Sequence, residues 1–385
     1  MEGGLWGGGV MAYLPVHRVE VRVMAVGHGA ANVVCGYCTI DGEEYLSYLL
    51  VNDFGGDTLG TTLVELSELM EVRAKCEKKL NQLEISKDFT HFIDVFVLSH
   101  PHDDHYNLLF KILHRTAIIG KLYWPMSRYQ ERCIAIIKKL KILDYILYYT
   151  VDVSKLLSHI DSSELPIGMR FDILSVPPLA HSELDESQDI KNENLYSLVL
   201  VFRFPNFVSV FPGDLTAHGM FILHKLIGKT TLLVAPHHGS MNTVAGKTNK
   251  GKEVCDLFFE ELEHWYHIIS ANGKHGLPNG LYVKKALEWI LGMKTVKHTV
   301  CLGDSIGIET DRMIFTTRLP HGNCSFLFKP FESVISDTFG YAYLPNDINT
   351  NELLLHWNGN FNINIVTPMA PTSFTFDHQG HTLWQ

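Results

Sequence analysis

Three histidines and two aspartates fall within six consecutive positions, His100-Pro101-His102-Asp103-Asp104-His105. They follow directly on an apolar run, Phe92 to Ser99, broken only by Asp94. A continuous apolar run of that length is the mark of a strand covered on both faces. The cluster is therefore expected where a buried strand opens into a loop at a sheet edge. Imidazole and carboxylate donors together suit zinc, manganese or iron. Spacing adds to donor type: His100 and His102 can aim at one metal from a tight turn, while Asp104 and His105 aim at a second. The chain holds 21 histidines, so a lone one would say little. The unit H-x-H-x-D-H is what points to metal.

Three later segments carry similar chemistry at predicted strand ends. In Phe211-Pro212-Gly213-Asp214 a strand leads to Asp214, a carboxylate able to bridge two metals, although Gly-Asp is also a common turn pair. In Ala235-Pro236-His237-His238-Gly239-Ser240, one of His237 and His238 can complete the second metal position; an isolated His pair would be ordinary surface chemistry. Between Ser270 and Pro278, Lys274 and His275 are substrate contacts or, equally, part of a loop cap. His237, His238 and His275 are candidates for donating to a phosphoryl oxygen or a leaving group. No Gly-x-Ser-x-Gly or Ser-x-x-Lys pattern supports a serine nucleophile.

Composition bounds the rest. With 46% hydrophobic and 11% aromatic residues over 385 positions, the chain can bury a large core and is not disordered. Its net charge of -10 lacks the overall basic footprint needed to track duplex DNA or RNA. The best local basic stretch, Lys247-Thr248-Asn249-Lys250-Gly251-Lys252, is a solvated loop or a grip for one or two phosphates. No apolar run approaches the roughly 18 residues of a membrane span. Met1 to Pro15 has no charged-then-apolar signal pattern, so residues 1–17 are expected to be a flexible, Gly-rich N-terminus. Seven scattered cysteines suit a reducing cytoplasm. Cys35-Gly36-Tyr37-Cys38 lies in a β-rich stretch, where residues three apart point to opposite faces, and reads as plain strand cysteines.

The patterning predicts strands at Arg18–Ala25, Asn32–Ile40 and Tyr45–Asn52, the latter two joined by the turn pair Asp41-Gly42. Helical spacing follows at Leu63–Leu83, Tyr106–Leu113, Arg128–Ile142, Thr216–Leu226 and Tyr282–Leu291. Further strands are expected at Ile118–Trp124, Ile173–Val176, Ser197–Phe202, Val208–Phe211, Leu232–Ala235 and His267–Ser270, with β-type segments dominating after Val300. Two rounds of strands and helices fit an α/β four-layer α/β/β/α sandwich with a β-rich C-terminal extension.

The order H-x-H-x-D-H, Gly-Asp, His-His-Gly-Ser resembles the metallo-β-lactamase superfamily. Within it, the chain is similar to the branch containing the competence ComEC-type hydrolase domain and the phosphorylcholine esterases. Val26-Gly27-His28-Gly29-Ala30-Ala31 resembles that branch's V-G-Q-G-D-A, and Asn52-Asp53-Phe54-Gly55-Gly56 resembles its I-D-x-G-G. Asn194-Leu195-Tyr196-Ser197-Leu198-Val199 and the segment from Phe315-Thr316-Thr317 through Gly322 to Phe326 resemble two further motifs. The likeness spans about Arg18 to Phe328. It implies a hydrolase domain over 18–329 and a β-rich accessory segment over 330–385 able to pack on the core or on a partner protein.

The same likeness implies a hydrolase with two divalent ions, zinc or manganese, and a water acidified toward ~7 between them. Small phosphoesters or short single-stranded nucleic acids are the expected substrates. Two features depart from the pattern. His28 and Ala30 replace Gln and an acidic residue, and no P-G-H-T element supplies the usual extra His, for which His181 is the nearest candidate. Hydrolysis of thioesters or lactones, or a regulatory module with a degenerate site, are the competing readings.

Overall fold

The computed structural model describes residues 16–24, 26–57, 61–82, 92–112, 119–125, 142–148, 158–159, 165–166, 168–175, 194, 197–205, 207–240, 243, 254, 259, 262, 266–271, 277, 279, 282, 285–286, 299–302, 306–309, 313–316, 361–366, 374–376 and 381–384. His181, Lys274, His275, the Lys247–Lys252 stretch and most of the expected helix at Arg128–Ile142 lie outside them.

The first sheet is built on five strands near the N-terminus: β1 (Arg18–Val23), β2 (Ala31–Ile40), β3 (Glu43–Phe54), β4 (Ile93–Val97) and β5 (Ile119–Pro125). β1, β2 and β3 pair antiparallel; β3, β4 and β5 run parallel, followed by β6 (Ile142–Tyr148). The second sheet contains β7 (Ser158–His159), β8 (Arg170–Leu174), β9 (Val199–Phe204), β10 (Phe207–Phe211), β11 (Leu232–Val234) and β12 (Tyr266–Ile269). β10, β11 and β12 are parallel, and β15 (Met313–Thr316) closes that edge. A separate hairpin is made by β13 (Thr299–Leu302) and β14 (Ile306–Glu309).

One apolar cluster joins Val19, Val21, Val34, Leu50, Val95 and Val97 of the first sheet to Phe171, Leu200, Phe202, Phe211, Leu232 and Ile268 of the second. The two sheets therefore pack face to face. The opposite side of the first sheet packs Val33, Val51 and Phe96 on Leu66, Leu69 and Met70 of α1 (Thr61–Gln82) and on Leu109 of α2 (Leu109–Ile112). On β9, Leu200 and Phe202 face the first sheet, so Arg203 projects from the other side. There its guanidinium donates to the carbonyls of Leu226 and Ile227 at the end of α3 (Ala217–Ile227), which fixes a helix on the outer face of the second sheet. The layers are α/β/β/α, as the patterning predicted.

Asp94, the one charge in the β4 run, is 4% exposed. It accepts the Leu49 amide at 2.7 Å and two bonds at 2.9 Å from the guanidinium of Arg73 on α1, which also meets Glu77 at 2.8 Å. The interruption is thus a buried ion pair that binds α1 to β3 and β4.

Two expectations need correction. Of the helix expected at Tyr106–Leu113, residues 106–108 form turns and Leu109–Ile112 form the single turn of α2, with the Asn107 side chain binding both backbone groups of Gly56; Leu113 lies outside the described residues. Cys35 and Cys38 do not sit on opposite faces. Cys35 packs in the cluster under Leu66, and Cys38 packs on Cys76 and Leu80 of the same helix, because the β2–β3 register slips between Gly36 and Tyr37. Both are free buried thiols. No helix among the described residues is long and apolar enough to cross a membrane.

The C-terminal strands extend the first sheet. β16 (Phe361–Val366) pairs antiparallel with β1, from Arg18 opposite Val366 to Val23 opposite Phe361, and carries β18 (His381–Trp384) and β17 (Phe374–Phe376) beyond it. A chain ending at residue 329 would leave the backbone of β1 as an open edge. Such a truncation is expected to aggregate on expression or lose thermal stability while keeping its metal stoichiometry. A soluble truncation that has lost a whole metal equivalent would contradict this.

Candidate metal centre

Every site element sits at the same end of the strands. His28 follows β1, Asp53 ends β3, His100 to His105 follow β4, Asp214 follows β10, His237 and His238 follow β11, and Ser270 follows β12. The two sheets are stitched there by the Leu198 amide, which donates to the Ser99 carbonyl at 2.8 Å.

Asp214 lies at the centre, 3% exposed. Its Oδ1 is 3.1 Å from His105 Nε2 and 3.4 Å from His238 Nε2; its Oδ2 is 3.4 Å from His237 Nε2 and 3.5 Å from His100 Nε2. Burial alone would raise this carboxyl's pKa, but His237, His105, His238 and His100 hold it well below the usual range. Gly213 explains how Asp214 arrives there. Its φ is +55°, and a Cβ added to it would lie 2.5 Å from the Ser99 Cβ and Oγ, so only glycine lets this turn pass.

The imidazole tautomers are set by neighbouring groups. His238 Nδ1 is 2.9 Å from the Ser270 carbonyl, which can only accept, so Nδ1 carries the hydrogen and Nε2 presents a lone pair. His105 Nδ1 is 2.9 Å from Asp53 Oδ2, which fixes the same tautomer in the neutral ring. Asp53 itself receives the Ser99 amide at 2.7 Å. Ser99 Oγ, 3.1 Å from Nδ1 of both His100 and His105, orients the two rings together.

The backbone is strained at these positions. Asp53, His237 and His238 hold φ of 53°, 48° and 54°, a region that costs non-glycine residues on the order of 1–3 kcal/mol each. Burial and His105 together push His100 down to about 4, leaving it neutral. Burial also opposes charge on His105 and His238, but Asp214, with Asp53 for the first and Asp104 for the second, outweighs it and raises both.

His105 Nε2, His238 Nε2 and Asp214 Oδ1 are buried and make no hydrogen bond, although they converge. Without metal, Asp214 favours a proton on these rings; with both rings neutral the three atoms are acceptors facing one another, an arrangement that a cation resolves. His105, Asp214 and His238 offer ligand atoms within 4.8 Å of one another; so do His100, His102 and Asp214, and so do His28, Asp104 and His238. The donor set fits a divalent metal ion.

His100, His102, Asp104, His105, Asp214, His237 and His238 are thus gathered in one place. Asp103 turns outward to the Tyr106 hydroxyl. Asn194 Nδ2 lies 3.4 Å from His237 Nε2, and Ser240 Oγ lies 2.9 Å from its Nδ1. Sequence reasoning missed Asp53, Ser99 and Ser270 as supports, since each is a single polar residue at a strand end. It noted His28 only as a departure; the signal was a ligand-type residue held between two glycines.

Packed sheets clothed in helices, with ligand loops from both meeting at one edge, settle the architecture. The chain has the metallo-β-lactamase fold. No family model matches the chain, and no curated protein matches it. Among solved structures, it is similar to a long-form RNase Z from yeast at 13% identity and a TM-score of 0.36, over 68% of this chain and 38% of that one. It thus spans less than half of that enzyme's length. It is also similar to zinc-bound PqqB from Methylobacterium extorquens at 12% identity and a TM-score of 0.39, over 71% of this chain and 95% of that one. A third likeness is to the metallo-β-lactamase fold protein YhfI from Bacillus subtilis, at 12% identity and a TM-score of 0.33, over 82% and 93% respectively.

Proposed function

We propose that the protein is a metal-dependent hydrolase with two divalent cations, zinc or manganese, acting on phosphodiesters in small or single-stranded substrates. The observation that carries the metal part is the convergence of His105 Nε2, His238 Nε2 and Asp214 Oδ1 on one buried point. His100, His102 and Asp214 would hold one cation, and Asp104, His105, His238 and Asp214 the other. When bound, divalent cations offset the negative charge that builds up on an ester under attack and make a nearby water more acidic.

The chain's own residues do the positioning. Asp53 and Ser270 hold the two ligand imidazoles in the lone-pair tautomer. His237 is the better placed to meet substrate. Burial lowers its pKa, so it is neutral near pH 7. Ser240 Oγ holds Nδ1, and Nε2 faces the Asp214 carboxylate; in the tautomer with the hydrogen on Nε2, the ring is able to donate to a phosphoryl or leaving-group oxygen.

The preference for phosphorus over a thioester or lactone carbonyl rests on the resemblance of the motif order to the ComEC-type branch. The net charge of -10 favours short substrates over long duplexes. Turnover of bis-nitrophenyl phosphate, cyclic dinucleotides, short single strands, plasmid duplex, thioesters and lactones should be compared with Mn²⁺ and Zn²⁺ at two salt concentrations. Metal-dependent cleavage of the small phosphodiesters is expected. Fast, salt-sensitive cutting of duplex would overturn the size argument. Turnover of only thioesters or lactones would replace the phosphodiester reading, and metal binding without any turnover would favour a regulatory module.

A further inference from the structure

We infer that His28 is an additional ligand of the cation on the Asp104 side, and that this makes that position the tighter of the two. The inference rests on the two-cation reading above but concerns a residue that reading does not use. His28 Nε2 lies 3.4 Å from Asp104 Oδ2, and His238 Nε2 lies 3.6 Å from the same oxygen. The rings of His28 and His238 are 4.9 Å apart and tilted by 48°, so both edges reach one volume beside Asp104.

The loop that carries His28 is built into the site. The Ala30 amide donates to the Asp104 carbonyl at 3.1 Å. Gly29 has φ +154°, and a Cβ there would fall 2.3 Å from the Gly55 carbonyl oxygen and 2.7 Å from that of Asp104, so the backbones are in direct contact. Ser270 ties the two histidines together: its hydroxyl donates to the Gly29 carbonyl, and its own carbonyl receives His238 Nδ1, both at 2.9 Å. One residue thus orients both His28 and His238 toward Asp104. With His28 included, this position draws on imidazoles from three separate loops and on two carboxylates. The other position draws on His100, His102 and Asp214 among the described residues. A nitrogen-rich donor set favours zinc, cobalt or nickel over manganese.

The test is Co²⁺ titration of the apo protein against a chelating competitor, with visible absorption recorded throughout. Wild type should bind one Co²⁺ tightly and a second more weakly. His28→Gln, which supplies the residue found in the resembling motif, should weaken the tight step on the order of ten- to hundredfold and alter its spectrum. As a check that needs no variant, bound Co²⁺ should protect His28 from acylation by diethyl pyrocarbonate, read by peptide mass spectrometry. Unchanged affinity and spectrum in His28→Gln, or equal acylation of His28 with and without metal, would overturn the inference and leave the two-cation reading standing. A wild-type protein that takes up no Co²⁺ would overturn both.

Discussion

Asp214→Asn should empty the site of metal while leaving the protein folded. The carboxylate is shared by four imidazoles at 3.1 to 3.5 Å, so both cation positions lose a ligand and the buried negative charge common to them. Affinity at each position is expected to fall on the order of a hundredfold or more. Folding should tolerate the change because losing the Asp214 charge favours neutral rings at His105 and His238, and the Asn amide is then a donor placed against their Nε2 atoms. Elemental analysis after loading and dialysis gives the stoichiometry, and thermal unfolding with and without chelator gives the coupling. Wild type should gain about 4 kcal/mol from a cation held at a thousandfold excess over its Kd. The variant should gain almost nothing. Full metal content in Asp214→Asn would sink the assignment of Asp214 as the shared ligand.

The largest effect on stability is expected far from the metal centre, at Arg73→Met. Arg73 and Asp94 are almost completely buried, and Glu77 is 3% exposed beside them. Burial disfavours the guanidinium charge, yet Asp94 and Glu77 outweigh that cost and raise its pKa further. Removing only the cation leaves two carboxylates without their partner in the layer between α1 and the first sheet. Breaking a buried pair in this way costs about 3–5 kcal/mol. The urea midpoint should drop accordingly. Adding Glu77→Gln to the variant should recover part of the loss, since one stranded charge is then gone. A wild-type midpoint in Arg73→Met would contradict a dry, tightly paired cluster at this layer.

The sequence made strands legible wherever their chemistry was local. Apolar alternation marked β1 to β3, the unbroken run marked β4, and Thr216 with its following helical spacing marked α3, whose first turn the Thr216 hydroxyl caps. The metal cluster was legible because its donors are contiguous. What stayed hidden depends on partners distant in sequence. Asp94 read as an interruption because Arg73 lies on a helix 21 residues earlier. Asp53 read only as part of a resembling motif and Ser270 only as a strand end, because the histidines they hold come from other strands. The pairing of β16 with β1 left no trace, since a strand's pattern says which face is buried and nothing of which strand lies beside it.

That pairing has a consequence in time. The partner that completes β1 is made near the far end of the sequence, so β1 leaves the ribosome with one edge bare. At roughly 5–20 residues per second, the wait for β16 is on the order of tens of seconds, far longer than a hairpin needs to form. During synthesis the two-sheet core can assemble around β2 to β12 while β1 still offers an unfilled ladder. Growth conditions that lengthen this interval, such as slow translation of the last third of the message or a shortage of chaperone, act on the yield of folded protein without touching a single residue of the edge where the histidines gather.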